Sequence, residues 1–160
     1  MRRFTPIELA IGIALAGSLA AISIPAFVRE LHASRFVEPT EGLARLGASA
    51  IAYAEANGKF PESAPLTPQV PPRGQKAVDA PGTWDAPGWK TLAFRAAPEG
   101  VPHAYSFSFE SVGSGSGFVA TARGDLDGDG ILSTFEVRGH AVPGSPPRLD
   151  PGMYVEAELE

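Results

Sequence analysis

The hydrophobic residues of this 160-residue chain fall into two patterns, one continuous and one periodic. Residues from about 7 to 28 are almost all apolar, and such a run is long enough to cross the roughly 30 Å hydrocarbon layer of a membrane as a helix. Further on, apolar residues recur at the spacing of an amphipathic helix: Leu43, Leu46, Ala50 and Tyr53. We therefore predict one long helix over residues 4–57 that ends at Asn57-Gly58, with its first half in the membrane.

Proline and glycine mark the expected interruptions. Pro25 lies inside the predicted helix, where proline removes a backbone hydrogen bond, so we expect a kink there. Residues 61–88 are dense in proline, which disfavours a central strand and most helix, and we predict a long surface loop. Trp84 and Trp89 follow in or next to this loop. They either form an aromatic platform for a sugar or a partner, or pack against the domain.

After Trp89 the pattern becomes alternating, which predicts β-strands. Tyr105, Phe107 and Phe109 alternate with polar residues, residues 113–117 (GSGSG) form a turn, and Phe118 begins a return strand. Further strands are expected at residues 135–138 and, as a charged edge strand, at 153–160. The predicted fold class is therefore α+β, in which the long N-terminal helix packs on a C-terminal antiparallel sheet within a loop-rich β domain over residues 58–160.

Composition excludes several classes of function. The formal net charge of −5 and the absence of a basic cluster argue against nucleic-acid binding. Without cysteine the chain has neither disulfides nor a thiol nucleophile. His32, His103 and His140 are scattered without the spacing of metal ligands, and we interpret them as single surface residues. We therefore expect a protein that is not an enzyme.

An acidic loop at residues 125–136 reads DLDGDGILSTFE. It fits the EF-hand calcium pattern of acids at loop positions 1, 3 and 5, glycine at 6 and glutamate at 12. The oxygen ligands expected from this pattern are Asp125, Asp127, Asp129, the carbonyl of Ile131, Ser133 and Glu136. Since strand-like sequence flanks the loop on both sides, we predict a calcium site between two strands. The alternative is a solvated Asp/Gly turn without metal.

The N-terminal segment carries the most specific pattern. Residues 4–27 read FTPIELAIGIALAGSLAAISIPAF, in which Phe4, Thr5, Glu8 and Pro25 are characteristic. This segment resembles the N-terminal signature of type IV pilins and of the type II secretion pseudopilins. In that family a short basic leader is removed before a phenylalanine, whose new amino group is then methylated.

The resemblance implies a leader at residues 1–3, with cleavage and methylation at Arg3 and Phe4. Two positions differ from the family: Arg3 stands where glycine is usual, and Pro6 where leucine is usual. Proline in the first turn of a helix is physically tolerated, because its missing N–H would have no partner there. Arg3 places cleavage of the leader in question.

Glu8 is the residue that needs a physical explanation. A carboxylate in the hydrocarbon layer costs on the order of 2.5 kcal/mol or more unless it has a partner. With Thr5, the resemblance assigns Glu8 to assembly, where the N-terminus of a neighbouring subunit neutralises it in a filament. The alternatives are a cleaved secretory signal, whose apolar core is normally shorter and uncharged, and a simple membrane anchor.

The resemblance also implies partners and a location. The partners are other pilin or pseudopilin subunits, a prepilin peptidase, an assembly ATPase and an inner-membrane platform. The positive-inside rule keeps Arg2 and Arg3 cytoplasmic, so we expect a single-pass bacterial inner-membrane protein whose remainder faces the periplasm. The subunit would then enter a periplasmic or cell-surface filament. Some pseudopilins hold a calcium ion in their β region, which agrees with the acidic loop. The alternative function is a membrane-anchored periplasmic calcium-binding module that does not polymerise.

Overall fold

The structure, a computed structural model, describes residues 5–157, without the side chains of residues 28–35. Helix α1 spans Pro6–Asn57 and is followed by Gly58, whose φ of +72° is the left-handed conformation that commonly ends a helix. The predicted C-terminal end of the helix is therefore confirmed. The chain forms two compact units, which meet in sequence between Phe36 and Val37.

In the first unit, the segment Pro6–Phe27 is long and apolar enough to cross a membrane, with a mean hydropathy of 2.1. None of its side chains is buried within the chain, so its apolar surface is available to lipid or to other helices. The helix continues through Pro25. The predicted kink at Pro25 stays a prediction.

The second unit contains an antiparallel sheet. Its strands are β1 (Ala64–Thr67), β2 (Tyr105–Val112), β3 (Gly117–Gly124), β4 (Ser133–His140), β5 (Arg148–Leu149) and β6 (Tyr154–Glu156). The strands follow the order β1-β2-β3-β4-β5, and β6 also pairs with β4. A short turn at Gly113–Gly115 joins β2 to β3, which confirms the predicted hairpin. The helix and the antiparallel sheet together confirm an α+β fold.

Residues of α1 beyond Val37 pack on this sheet. Leu43, Leu46 and Ala50 are fully buried, as their spacing predicts, whereas Tyr53 is only half-buried. Gly42 lies directly under the Phe107 ring, so closely that a Cβ atom would overlap it. Glycine therefore sets the close approach of this helix to the sheet.

The proline-rich region is more ordered than its sequence predicts. Strand β1 lies within it, at the edge of the sheet, and helix α2 (Pro87–Leu92) begins with proline in its first turn, where the missing N–H is harmless. Trp89 is fully buried and its indole N–H donates to Thr67 Oγ1 at 2.8 Å, and Trp84 is almost fully buried. The two rings meet edge to face, so they belong to the core and do not form an exposed platform.

Candidate metal centre and helix start

The acidic loop connects two neighbouring antiparallel strands. Strand β3 ends at Gly124 and β4 begins at Ser133, so strands flank the loop on both sides, as predicted, and no EF-hand helix adjoins it. The pairing of Gly124 with Ser133 brings the two ends of the loop together. Gly128 and Gly130 adopt φ values of +85° and +95°, which let the chain turn tightly between the acidic residues.

Three aspartates of the loop point their carboxylates at one another. Asp125, Asp127 and Asp129 each offer an oxygen within 4.8 Å of the oxygens of the other two. Each also uses its Oδ1 atom to accept a backbone N–H further along the loop, which fixes the direction of the carboxylate. The donors are Gly128 to Asp125 (2.8 Å), Asp129 to Asp127 (3.1 Å) and Ile131 to Asp129 (2.7 Å). Grouped carboxylates of this kind suit a hard cation such as calcium.

Asp125 differs from the other two aspartates in its burial. Its side chain is 1% exposed, whereas Asp127 and Asp129 are exposed. The Asp125 Oδ2 atom is buried and accepts no hydrogen bond. A buried carboxylate oxygen without a hydrogen bond is costly. A cation bound at this oxygen would remove this cost, and the three grouped carboxylates fit a metal ion.

The cation nearest to this oxygen belongs to the chain itself. Arg73 Nε lies 3.6 Å from Asp125 Oδ2, and the Gly74 N–H donates to the Asp125 carbonyl at 2.8 Å. The sequence did not predict this contact, because residues 73 and 125 are far apart along the chain and no motif connects them. The segment that holds Arg73 belongs to the proline-rich region, which we predicted to be a surface loop.

Two other predicted ligands lie at the end of the loop. Ile131 is exposed, and its N–H already donates to Asp129. Ser133 is fully buried at the start of β4, where its hydroxyl donates to the Gly124 carbonyl at 3.2 Å. The Ser133 hydroxyl therefore helps to close the two strands at the base of the loop.

Glu136 does not join the three aspartates. It lies in the middle of β4, opposite Thr121 of β3 and Tyr154 of β6, and its carboxylate forms an ion pair with Arg138 at 2.6 Å. An EF-hand returns its twelfth residue to the metal on a helix, whereas here a strand carries it away. Two carboxylates lie near Tyr154 of β6, the partner of Glu136 across the strands. The hydrogen bond that the Tyr154 hydroxyl donates to Glu156, together with the charges of Glu156 and Glu136, raises the pKa of Tyr154.

The start of α1 carries a capping box that the sequence analysis missed. Thr5 precedes the helix, Pro6 is its first residue and Glu8 its third. The Thr5 N–H and hydroxyl donate to Glu8 Oε2 at 2.8 and 2.9 Å, and the Glu8 N–H faces Thr5 Oγ1 at 3.3 Å. The pattern Thr-x-x-Glu with proline at the first helical position was the available signal. Arg3 and Phe4, the predicted processing residues, lie outside the described residues.

One of the three histidines, His103, was predicted to lie at the surface but is buried. His103 is 2% exposed and is therefore not a surface residue. Its Nδ1 atom lies 2.9 Å from the Tyr105 carbonyl oxygen and its Nε2 atom 2.8 Å from Asp79 Oδ2. The same Asp79 oxygen accepts the Trp84 indole N–H at 2.6 Å. This cluster fastens the proline-rich segment to the sheet.

The comparisons with known proteins leave the family open. The sequence matches no protein-family model, and neither the search of curated proteins nor that of solved structures found a match.

Proposed function

We propose that this chain is a structural, pilin-like subunit of a type IV pilus or a type II secretion pseudopilus. The observation that carries the proposal is the apolar helical segment Pro6–Phe27, all of whose side chains are exposed. Thr5 and Glu8 cap its N-terminal end. Such a surface needs lipid before assembly and other helices after it, because its exposure to water is unfavourable. The subunit waits in the bacterial inner membrane and then packs this helix into a filament.

The rest of the chain supports the same proposal. Beyond residue 36 the helix lies on an antiparallel sheet in a separate compact unit, which is suited to face the periplasm while the apolar helix is held elsewhere. In this proposal a prepilin peptidase removes residues 1–3, and a cytoplasmic ATPase with an inner-membrane platform drives assembly. The three aspartates hold calcium and stabilise the loop between β3 and β4.

Glu8 has two roles in this proposal. Its carboxylate caps its own helix through Thr5, and its charge pairs with the N-terminus of a neighbouring subunit in the filament. The two roles are separable, because glutamine also completes a capping box but carries no charge.

The test is the Glu8→Gln variant, produced in a host that supplies the assembly machinery. We expect it to insert into the inner membrane like the wild type but to assemble at least about tenfold less filament, since only the charge pair is lost. Membrane fractionation measures insertion, and immunoblotting of sheared filaments measures assembly. Glu8→Ala, which also removes the cap, is the comparison. Wild-type amounts of filament from Glu8→Gln would show that the charge of Glu8 is not needed.

The second candidate is a membrane-anchored, non-polymerising calcium-binding module. It is favoured by the fit of the three aspartates to a cation and by Arg3, which stands where the pilin family has glycine. N-terminal sequencing of the wild-type protein from membranes distinguishes the two candidates. A mature protein that begins at Phe4 supports the filament subunit, and one that keeps Met1 supports the anchored module.

A further inference from the structure

Arg73 lies beside the proposed metal centre, next to Asp125. The two carboxylate oxygens of Asp125 differ: Oδ1 accepts the Gly128 N–H and closes the turn, whereas Oδ2 is buried without a hydrogen bond. The atom that faces Oδ2 is Arg73 Nε, at 3.6 Å, which is beyond hydrogen-bonding distance. Arg73 therefore balances the charge of Asp125 but leaves the lone pairs of Oδ2 unused.

The backbone next to Arg73 is fixed against the loop. Gly74 donates to the Asp125 carbonyl, and residues 73 and 125 form a bridge of the parallel type. A Cβ atom at Gly74 would lie 3.3 Å from the Asp127 carbonyl oxygen, so the two backbones are in close contact. The guanidinium is held near the aspartates by its backbone and not by its own hydrogen bonds.

The side chain of Arg73, in contrast, is free to leave. It is 67% exposed and already largely hydrated, so its departure costs only a weak ion pair. A divalent cation that binds Oδ2 would compete with the guanidinium for the same oxygen, because two cations at one carboxylate repel each other. The cation gains Asp127 and Asp129 as well, which Arg73 does not contact among the described ion pairs.

We infer that Arg73 is a built-in competitor of calcium, a tethered cation that neutralises Asp125 in the metal-free protein and is displaced when calcium binds. The inference rests on the metal centre of the proposed function. Arg73 thus sets the calcium affinity of the loop, because it stabilises the metal-free loop and thereby weakens metal binding. The ligands themselves remain the three aspartates.

The experiment compares Arg73→Gln with the wild type as full-length chains in detergent micelles, titrated with calcium chloride in a calorimeter. We expect the variant to bind calcium about two- to fivefold more tightly, the range that a partly exposed ion pair allows. Without calcium, the variant should unfold at a lower temperature, because the buried oxygen then has no cation. Calcium should raise its unfolding temperature by more than that of the wild type. Tryptophan fluorescence follows unfolding, since both tryptophans lie in this unit.

Two control variants separate a local from a general effect of charge. Lys76→Gln removes a positive charge three residues further along the same segment, from a side chain of similar exposure, but Lys76 pairs with Glu38 and not with the loop. We expect Lys76→Gln to keep wild-type calcium affinity. Arg73→Lys, which retains the charge, should bind calcium as weakly as the wild type does.

Each outcome of these titrations either supports or overturns the role of Arg73. Tighter binding by Arg73→Gln alone supports the inference, as does binding by Arg73→Gln when the wild type binds none. Unchanged or weaker binding by Arg73→Gln overturns it, and so does an equal gain in Lys76→Gln. No binding by any of the four proteins overturns the metal centre itself and this inference with it, whereas the filament proposal is tested separately by Glu8→Gln.

Discussion

At the scale of single residues, glycine decides how closely large aromatic rings approach the backbone. Phe118 lies over Gly139 of the neighbouring strand, and Tyr105 over Gly124, at positions where a Cβ atom would overlap the ring. Gly42 of α1 makes the same kind of contact with Phe107. In each pair the missing side chain leaves space that the ring fills, so the aromatic core and the glycines depend on each other.

Replacing Gly42 by alanine has two opposing effects on the free energy of unfolding. Alanine is favoured over glycine inside a helix by about 1 kcal/mol, but its methyl group would force the Phe107 ring to move, and overpacking costs about 1–3 kcal/mol. Because the second term is larger on average, we expect Gly42→Ala to lower the free energy of unfolding by about 1 kcal/mol. Denaturant unfolding of the full-length chain in micelles, followed by tryptophan fluorescence, measures it.

Gly47 of the same helix is the matched control. A Cβ atom there would meet the end of the Leu149 side chain at 3.0 Å, and Leu149 is partly exposed and flexible enough to move aside. Gly47→Ala should therefore leave stability unchanged or raise it slightly through helix propensity. An equal loss in both variants would show that the close approach to Phe107 is not the cause.

At the scale of elements, polar groups fasten the proline-rich segment to the helix and the sheet. Glu38 of α1 accepts the N–H groups of Ala104 and Tyr105, at 2.6 and 2.9 Å, and pairs with Lys76 of the segment. His103 connects Asp79 of the segment to the sheet. A region with little regular structure is thus held by a few buried or half-buried side chains, each of which has several partners.

His103→Leu tests this arrangement. Leucine fills similar space but leaves the Tyr105 carbonyl without its ring partner and Asp79 with the Trp84 indole as its remaining hydrogen-bond donor among the described contacts. A buried polar group that loses its partner costs about 1–3 kcal/mol. We expect a stability loss of that size and red-shifted tryptophan emission as Trp84 gains solvent.

The other described histidine serves as its control. His140 pairs with Asp150 at the far end of β4, and both side chains are more than one-third exposed. Solvent replaces a lost partner there, so His140→Leu should cost less than about 1 kcal/mol and leave the emission unchanged. Similar losses in both variants would mean that burial of His103 does not matter.

At the scale of the whole molecule, the described core belongs to the unit that begins at Val37. Every buried apolar residue among the described ones lies at Pro39 or beyond, whereas the side chains of Pro6–Phe27 are exposed. The exposed surface of the apolar helix is therefore suited to lipid or other helices, whereas the folded unit buries its apolar residues in its own core.

This division predicts that residues 37–160 fold without the apolar helix. The fragment keeps the sheet, the helical face that covers it and the acidic loop. We expect it to remain soluble and to show a single cooperative unfolding transition with the tryptophan emission of the full-length chain. Aggregation, or emission typical of exposed indole, would contradict the prediction.

Local patterns in the sequence predicted the local parts of this structure. Asn57-Gly58 marked the helix end, the alternation from Tyr105 marked the hairpin, and the spacing of the aspartates marked the loop that groups them. Each of these signals depends on residues close in sequence, where propensity and periodicity are informative.

The features that the sequence did not reveal depend on contacts between distant segments. Strand β1 pairs with β2, which lies far along the chain, and the buried His103 lies within hydrogen-bonding distance of Asp79 and beside the Trp84 ring. Glu136 belongs both to position 12 of the calcium motif and to the predicted strand 135–138, and its pairing with β3 keeps it in the strand, away from the aspartates. Strand pairing thus decided between two local patterns that overlap at this residue.

The capping box has a consequence for the order of events at the N-terminus. Thr5 and Glu8 complete it without any group that precedes Thr5, and both follow the cleavage point that the pilin resemblance implies. Loss of residues 1–3 would therefore leave the three hydrogen bonds between Thr5 and Glu8 in place. If the chain is processed as we propose, the peptidase would alter charge and length at the N-terminus, while the capping box that starts the helix would be the same before and after cleavage.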